Sequence, residues 1–371
     1  MNDIWEGFEG DSQGTEVAQV SIGEFDFERW NEHEASGIDA RREFISAKEG
    51  VLFHRRFRVP RIFSWGCADM EESLKWQLGA LQASMDYTMD IPNFLEPWYG
   101  IGTVASCFGA EYEWSTGQAP AVHPPFSSVE DALAYEPVSV EQTAIGKRTL
   151  EMMEFFLEKT KGRLPVSFTD TQSPLDIAAS LVDTTAFLLG LYDNPEGVKE
   201  LIQRTVSLNV EFTEKQRKLI GDALVSPGHG FASCREFTGL GMSDDTSTMM
   251  SPDQFNQFVC PSIVETGKPF GGAVYHSCGN WAPRLQYVLG IEGLVTVDAA
   301  FTVETDPDPN SADVFSDAMA DSGIVLNARC AGSPKRIEDT VNKLAIRGMK
   351  TIIVTYARNP EEQKEIRNFR S

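Results

Sequence analysis

Short runs of consecutive apolar residues recur through the second two-thirds of the chain. They fall at residues 164–168 (Leu-Pro-Val-Ser-Phe), 272–275, 293–297, 323–326 and 351–354. Strands covered on both faces read as continuous rather than alternating runs, and parallel sheets are covered on both faces. The last four runs begin 21 to 30 residues apart, room for a strand, a helix and two loops. Helix starts lie between them. Ser173-Pro174, Asn194-Pro195, Ser251-Pro252 and Ser333-Pro334 each set an N-cap residue before a proline at the first helical position, and Gln254 completes a capping box with Ser251. Gly190, Gly267 and Gly348 mark helix ends. The pattern predicts a (β/α)8 barrel of the TIM type with extra N-terminal helices. A doubly wound open sheet is the alternative, and the lack of an early Gly-x-Gly-x-x-Gly counts against it.

Residues 1–59 are polar and acidic, with isolated aromatics at Trp5, Phe8, Phe25, Phe27 and Trp30 and a helix expected near 38–47. They read as an extension packing on a barrel domain of residues 60–371, since no Ser/Gly-rich linker follows. Lys and Arg total 32 against 55 Asp and Glu, a formal charge of −23. Such a surface repels phosphate backbones and anionic lipid, so neither nucleic acid nor membrane is an expected partner. The opening Met-Asn-Asp-Ile-Trp-Glu has no signal-peptide pattern, and the apolar stretch 178–192 is too short to span a bilayer and carries Asp183. Six scattered cysteines form neither a disulfide framework nor paired Cys-x-x-Cys knuckles, which fits a reducing, cytoplasmic setting.

In a parallel barrel the chemistry sits where strands end. His276-Ser277-Cys278 follows one apolar run, Asp298 follows the next, and Cys330 follows the one after, beside Asn327. Neighbouring strand ends can bring these side chains together, and thiolate, imidazole and at most one carboxylate are ligands that Zn²⁺ prefers. Taken alone, His-x-Cys is more often a core cysteine beside a hydrogen-bonded histidine; Cys330 at a further strand end tips the balance toward a metal. The predicted ligands are His276, Cys278 and Cys330, with Asp298 as a possible fourth, and the catalytic role falls to the first three through the metal. Two thiolates would make the ion a poor source of hydroxide and a good holder of an incoming thiol.

The stretch 242–280, with Ser-Asp-Asp, a Ser-Pro-Asp-Gln-Phe helix start and His-Ser-Cys-Gly-Asn, resembles the uroporphyrinogen decarboxylase superfamily. Its His-x-Cys…Cys pattern is similar to that of the zinc-dependent corrinoid methyltransferases. The resemblance implies a barrel enzyme in which zinc binds an acceptor thiol of the coenzyme M type, or serves a folate acceptor, and a partner corrinoid (cobalamin) protein delivers the methyl group. The decarboxylase branch, a metal-independent carboxy-lyase of tetrapyrrole carboxylates, is the alternative. Its Arg-x-Ala-Gly-Arg-Tyr opening is not matched by His54-Arg55-Arg56-Phe57-Arg58, and Asp90 stands only roughly at the place of its pyrrole-binding aspartate.

Asp170, Asp244 and Asp245 are expected in strand-end loops, as turn or cap residues or as substrate contacts. Tyr99, next to Trp98, is a candidate pocket residue that could equally be core, and Asn327 a support for a ligand. His229 with Cys234 in a glycine-rich stretch is a weaker metal pair. A glycoside hydrolase shares this fold, but no acid pair stands out by spacing. A non-catalytic protein that docks a corrinoid partner is a third function class.

Overall fold

The computed structural model describes residues 13–115 and 118–370. Seven strands of the barrel are β1 (Gly50–Arg55), β2 (Val166–Ser167), β3 (Leu240–Ser243), β4 (Ala273–His276), β5 (Leu294–Ala300), β6 (Val325–Cys330) and β7 (Lys350–Thr355). β1-β7-β6-β5-β4-β3 form one continuous sheet with every pair parallel. The ring is completed by the extended segment 90–95, where Asp90 N–H donates to Phe53 O at 2.8 Å and Leu95 bridges Val166 of β2. Just beyond β2, Gln172 bridges Ser243 of β3 and closes the barrel. A short strand, Leu224–Val225, pairs with β2, and Pro227 O just beyond it accepts from Gly241 N–H of β3 at 3.0 Å.

The helices start where the Xaa-Pro pairs predict. Ser173 caps Pro174–Leu181, Asn194 caps Pro195–Ile220, and Ser251 with Gln254 forms the capping box of Pro252–Gln254. Pro334–Leu344 follows Ser333 without a side-chain cap. The glycine signals hold less evenly. One helix ends at Gly267, but Thr184–Asp193 runs through Gly190, and Pro334–Leu344 stops four residues before Gly348. The apolar stretch 178–192 is split between Pro174–Leu181 and Thr184–Asp193. Among the described residues no helix is long and apolar enough to cross a membrane.

Alternate residues of each strand point to opposite faces. Ala273 and Tyr275 of β4, Val297 and Ala299 of β5, and Leu326, Ala328 and Cys330 of β6 are buried in the main hydrophobic core. The intervening residues face the barrel axis. A second core lies beneath the N-terminal helices, where Phe25 and Trp30 pack with Leu78 and Met152. Trp5 and Phe8 lie outside the described residues.

The barrel begins before residue 60. β1 occupies residues 50–55, inside the segment read as an extension. Its apolar run is only three residues, Val51-Leu52-Phe53, before His54-Arg55-Arg56 disguise it. His54 and Arg55 are buried and satisfied: Arg55 Nε donates to Ala357 O at 2.9 Å, and His54 Nδ1 lies 2.9 Å from Ile91 O.

Candidate active site

One rung of the sheet sets the site. Ser243, His276, Asp298 and Asn327 are successive partners across β3, β4, β5 and β6. Equal parity turns their side chains to the same face. Asp298 is the hub. Its Oδ2 lies 2.7 Å from His276 Nδ1 and 2.9 Å from Arg329 Nε, and its Oδ1 accepts from Asn327 Nδ2. Burial alone would raise this carboxyl; Arg329 and His276 outweigh it and hold it below the ordinary range. Burial by itself would likewise lower His276, but hydrogen bonds to Asp298 and Cys278 lift the imidazole to about 10.

With Nδ1 committed to Asp298, Nε2 of His276 is turned toward Cys278, whose Sγ lies 3.5 Å away. Cys278 sits just past β4, and its N–H donates to Asp245 Oδ1 at 2.7 Å. Ligand atoms of Asp245, His276 and Cys278 all fall within 4.8 Å of one another. Among the described residues this is the group of metal-binding side chains that gathers so closely.

The fold holds Asp245 in place from below. Asp176, in the first turn of Pro174–Leu181, accepts from the N–H groups of Asp245 and Thr246, both at 2.8 Å. Ser173 Oγ donates to Asp244 Oδ1 at 2.7 Å, and Asp244 N–H donates to His276 O at 2.8 Å. Asp244 is fully buried with its second oxygen unpartnered. Burial first, then the Asp176 charge, pushes its carboxyl upward, so it holds a proton far more readily than a surface aspartate.

These groups open on a cleft of about 470 Å³. His276, Cys278, Asp298 and Arg329 line one side; Arg56, Trp98, Asp170 and His229 line the other. One Arg329 Nη is buried without a hydrogen-bond partner. Glu96 Oε2 lies 2.6 Å from His229 Nδ1 and 3.6 Å from Arg56, and Trp98 Nε1 donates to Asp170 Oδ2 at 3.0 Å.

The expected site residues therefore separate. His276 and Cys278 come together, with Asp245 beside them. Asp298 holds the far nitrogen of His276 and Asn327 holds Asp298. Asp170 lines the cleft, whereas Asp244 lies behind it. Cys330 stands apart from the cluster: it is fully buried, its Sγ rests 3.7 Å from Ala328 O, and burial pushes its thiol up to about 12. Tyr99 is fully buried in the second core, its ring 6.3 Å from that of Trp114. Asp90 accepts from Phe53 N–H at 2.7 Å and pairs with Arg367 at 2.9 Å, a structural role at the strand edge. Cys234 is buried with its thiol pushed up by burial, and it bridges Ser226 through its backbone rather than meeting His229. Sequence reading passed over Arg329 and Glu96. Arg329 had a usable signal: with Asn327 it forms a polar i, i+2 pair inside an otherwise apolar strand.

Imidazole, thiol and carboxylate at this spacing are a donor set that a divalent ion such as Zn²⁺ accepts. A thiolate and a carboxylate balance its charge, and a carboxylate on the second histidine nitrogen is the usual support of a metal-bound imidazole. The residues present fit the ion.

Residues 85–233 match the family described as uroporphyrinogen decarboxylase (URO-D). Among solved structures, a methyltransferase from Methanosarcina mazei is similar with a TM-score of 0.56 at 14% identity, covering 99% of this chain and 98% of that one. No curated protein sequence matches the chain. The family match covers residues 85–233, less than half of the chain, and the parallel (β/α)8 fold around the site is similar to that of the methanogen methyltransferase over nearly the whole chain.

Proposed function

We propose that the protein is a methyltransferase that moves a methyl group between a corrinoid carried by a partner protein and a thiol acceptor, with zinc held by His276, Cys278 and Asp245. The observation that carries this reading is the imidazole–thiol–carboxylate group on the wall of a substrate-sized cleft. Bound zinc would supply Lewis acidity that lowers the pKa of an acceptor thiol. The rest falls to the chain. Asp298 fixes the tautomer and direction of His276, Asp245 anchors the backbone of Cys278, and Phe63 and Trp98 wall the cleft against water. Arg329 offers its unpartnered N–H to an anionic end of the acceptor. Cys330, a ligand in the set implied by the family resemblance, would have to turn out of the core to join, and Asp245 takes its place in this proposal. A thiol acceptor suits the site better than a folate, whose nucleophile is nitrogen.

A second reading, a metal-independent carboxy-lyase acting on a polycarboxylate, draws support from Arg56, Arg58 and Arg329 lining the same cleft. One experiment separates the two. Methyl transfer from methylcobalamin to 2-mercaptoethanesulfonate is expected to stop on chelation and return with zinc. Turnover of a porphyrinogen that survives chelation would instead establish the second reading.

A further inference from the structure

The cleft holds a second group of reactive side chains, which the methyl-transfer reading leaves unused. His229 lines it with 14% of its side chain exposed. Its Nδ1 stands 2.6 Å from Glu96 Oε2, and its Nε2 faces Asp170 Oδ2 at 3.7 Å. Glu96 is itself tied down: its backbone N–H donates to Gln77 at 2.6 Å, its carboxylate accepts from Gly230 N–H at 3.3 Å and pairs with Arg56 at 3.6 Å. Burial opposes its charge, but His229 and Arg56 outweigh that and hold it at about 2, so it is a permanent carboxylate. Asp170 is fixed by Trp98 Nε1, and the rings of Phe63 and Trp98 pack on the imidazole at 5.2 and 6.3 Å. The charged groups facing His229 are thus Glu96 and Asp170, with Arg56 behind Glu96 and Arg58 and Arg329 farther round the cleft.

A histidine kept for packing would be sealed away; this one is open to the cleft. It belongs to no ligand cluster either, since among the described residues only Asp245, His276 and Cys278 gather closely enough. A carboxylate on one ring nitrogen and the other turned to a substrate cavity is the arrangement of an oriented acid–base group. Phe231, two residues on, packs edge-on against His276 with ring centroids 6.4 Å apart, so the two groups face each other across one cavity.

We propose that His229 is the proton acceptor for the substrate in the cleft, with Glu96 as its positioning residue. The assignment of a thiol substrate rests on the methyl-transfer reading. In the step, the S–H bond of the acceptor breaks, the proton forms an N–H bond at Nε2 of His229, and the electron pair stays on sulfur. Asp170 stabilises the resulting imidazolium, which then releases its proton to solvent through the open side of the cleft.

Two readouts test this on the full-length protein. In methyl transfer from methylcobalamin to 2-mercaptoethanesulfonate, His229→Gln is expected to lose about a hundredfold in kcat/KM below the pH at which the free thiol ionises in water. Above that pH the loss should shrink to about threefold, because the substrate arrives already deprotonated. An equal loss at every pH, or none, would overturn the assignment. The second readout needs neither metal nor turnover. Nitrogen-15 NMR of the five histidines, with His229→Gln supplying the assignment, should find the neutral ring of His229 protonated on Nδ1, against Glu96. The Nε2–H tautomer would overturn the dyad whatever the activity. Absence of transfer in the native enzyme alongside the Nδ1–H tautomer would sink the methyl-transfer reading and leave the dyad standing.

Discussion

Asp298 is 2% exposed and carries a full charge because two cations and an amide surround it. Removing one member of such a buried group leaves the others uncompensated, which is costlier than losing a surface ion pair. Asp298→Ala is expected to destabilise the metal-free protein by about 3 kcal/mol or more, measured by urea unfolding. The same pair makes stability depend on pH. The folded His276 value is raised to about 10, so its contribution is complete below about 6.5 and is lost as pH climbs through 10. Thermal unfolding of the metal-free native protein should weaken over that interval, and Asp298→Ala should flatten the response. The cysteines divide by parity. Cys330→Ala trims a fully buried side chain and is expected to cost about 1–2 kcal/mol while leaving metal content intact, as elemental analysis would show. His276 and Cys278 were legible in the sequence because His-x-Cys follows an apolar run. Period-two alternation was also readable there: Asn327 and Arg329 mark the face turned to the axis, which puts Cys330 on the other. Asp245 was readable as a loop residue or substrate contact but not as a partner of His276 and Cys278, and Glu96 was not readable at all, since only the closing of the barrel sets them beside His276 and His229.

The helix Pro174–Leu181 does more than cover the sheet. Its cap, Ser173, both accepts from Asp176 N–H and donates to Asp244, and its first turn grips the backbone of the Asp245 loop through Asp176. Ser173→Ala is therefore expected to cost about 1–2 kcal/mol, the loss of a cap plus a stranded carboxyl oxygen. The Asp176–Asp244 pair gives this element its own pH signature. Burial raises both carboxyls, helped by the Asp176 charge at Asp244 and by the Asp245 charge at Asp176, so the folded state holds protons that the unfolded chain gives up. Stability from the pair is complete below the ordinary aspartate range near 4 and drains away as pH rises toward and past neutrality. Asp244→Asn should remove much of that slope, leaving the variant relatively more stable at alkaline pH in thermal unfolding. Ser173-Pro174 announced the helix start, but nothing in the sequence announced that its cap also braces the next strand's loop.

Over the whole molecule, the long-range order was easier to read than its edges. Continuous apolar runs identified β2 and β4 to β7, because two-sided burial leaves little room for polar residues. β1 escaped because His54 and Arg55, buried and bonded to the carbonyls of Ile91 and Ala357, interrupt its apolar run, and β3 because Gly239-Leu240-Gly241-Met242 carries too little apolar bulk. The extended segment 90–95 is a barrel strand by position only, held by isolated pairings. Against an overall charge of −23, the cleft gathers Arg56, Arg58 and Arg329 beside Asp170 and Asp298.

Metal content of the purified protein before and after Cys278→Ala is the most direct measurement of the central claim. The native protein is expected to hold about one zinc per chain and Cys278→Ala essentially none, with the fold retained. A native protein that binds no divalent ion, or a Cys278→Ala protein that binds it as fully as the native one, would contradict the account.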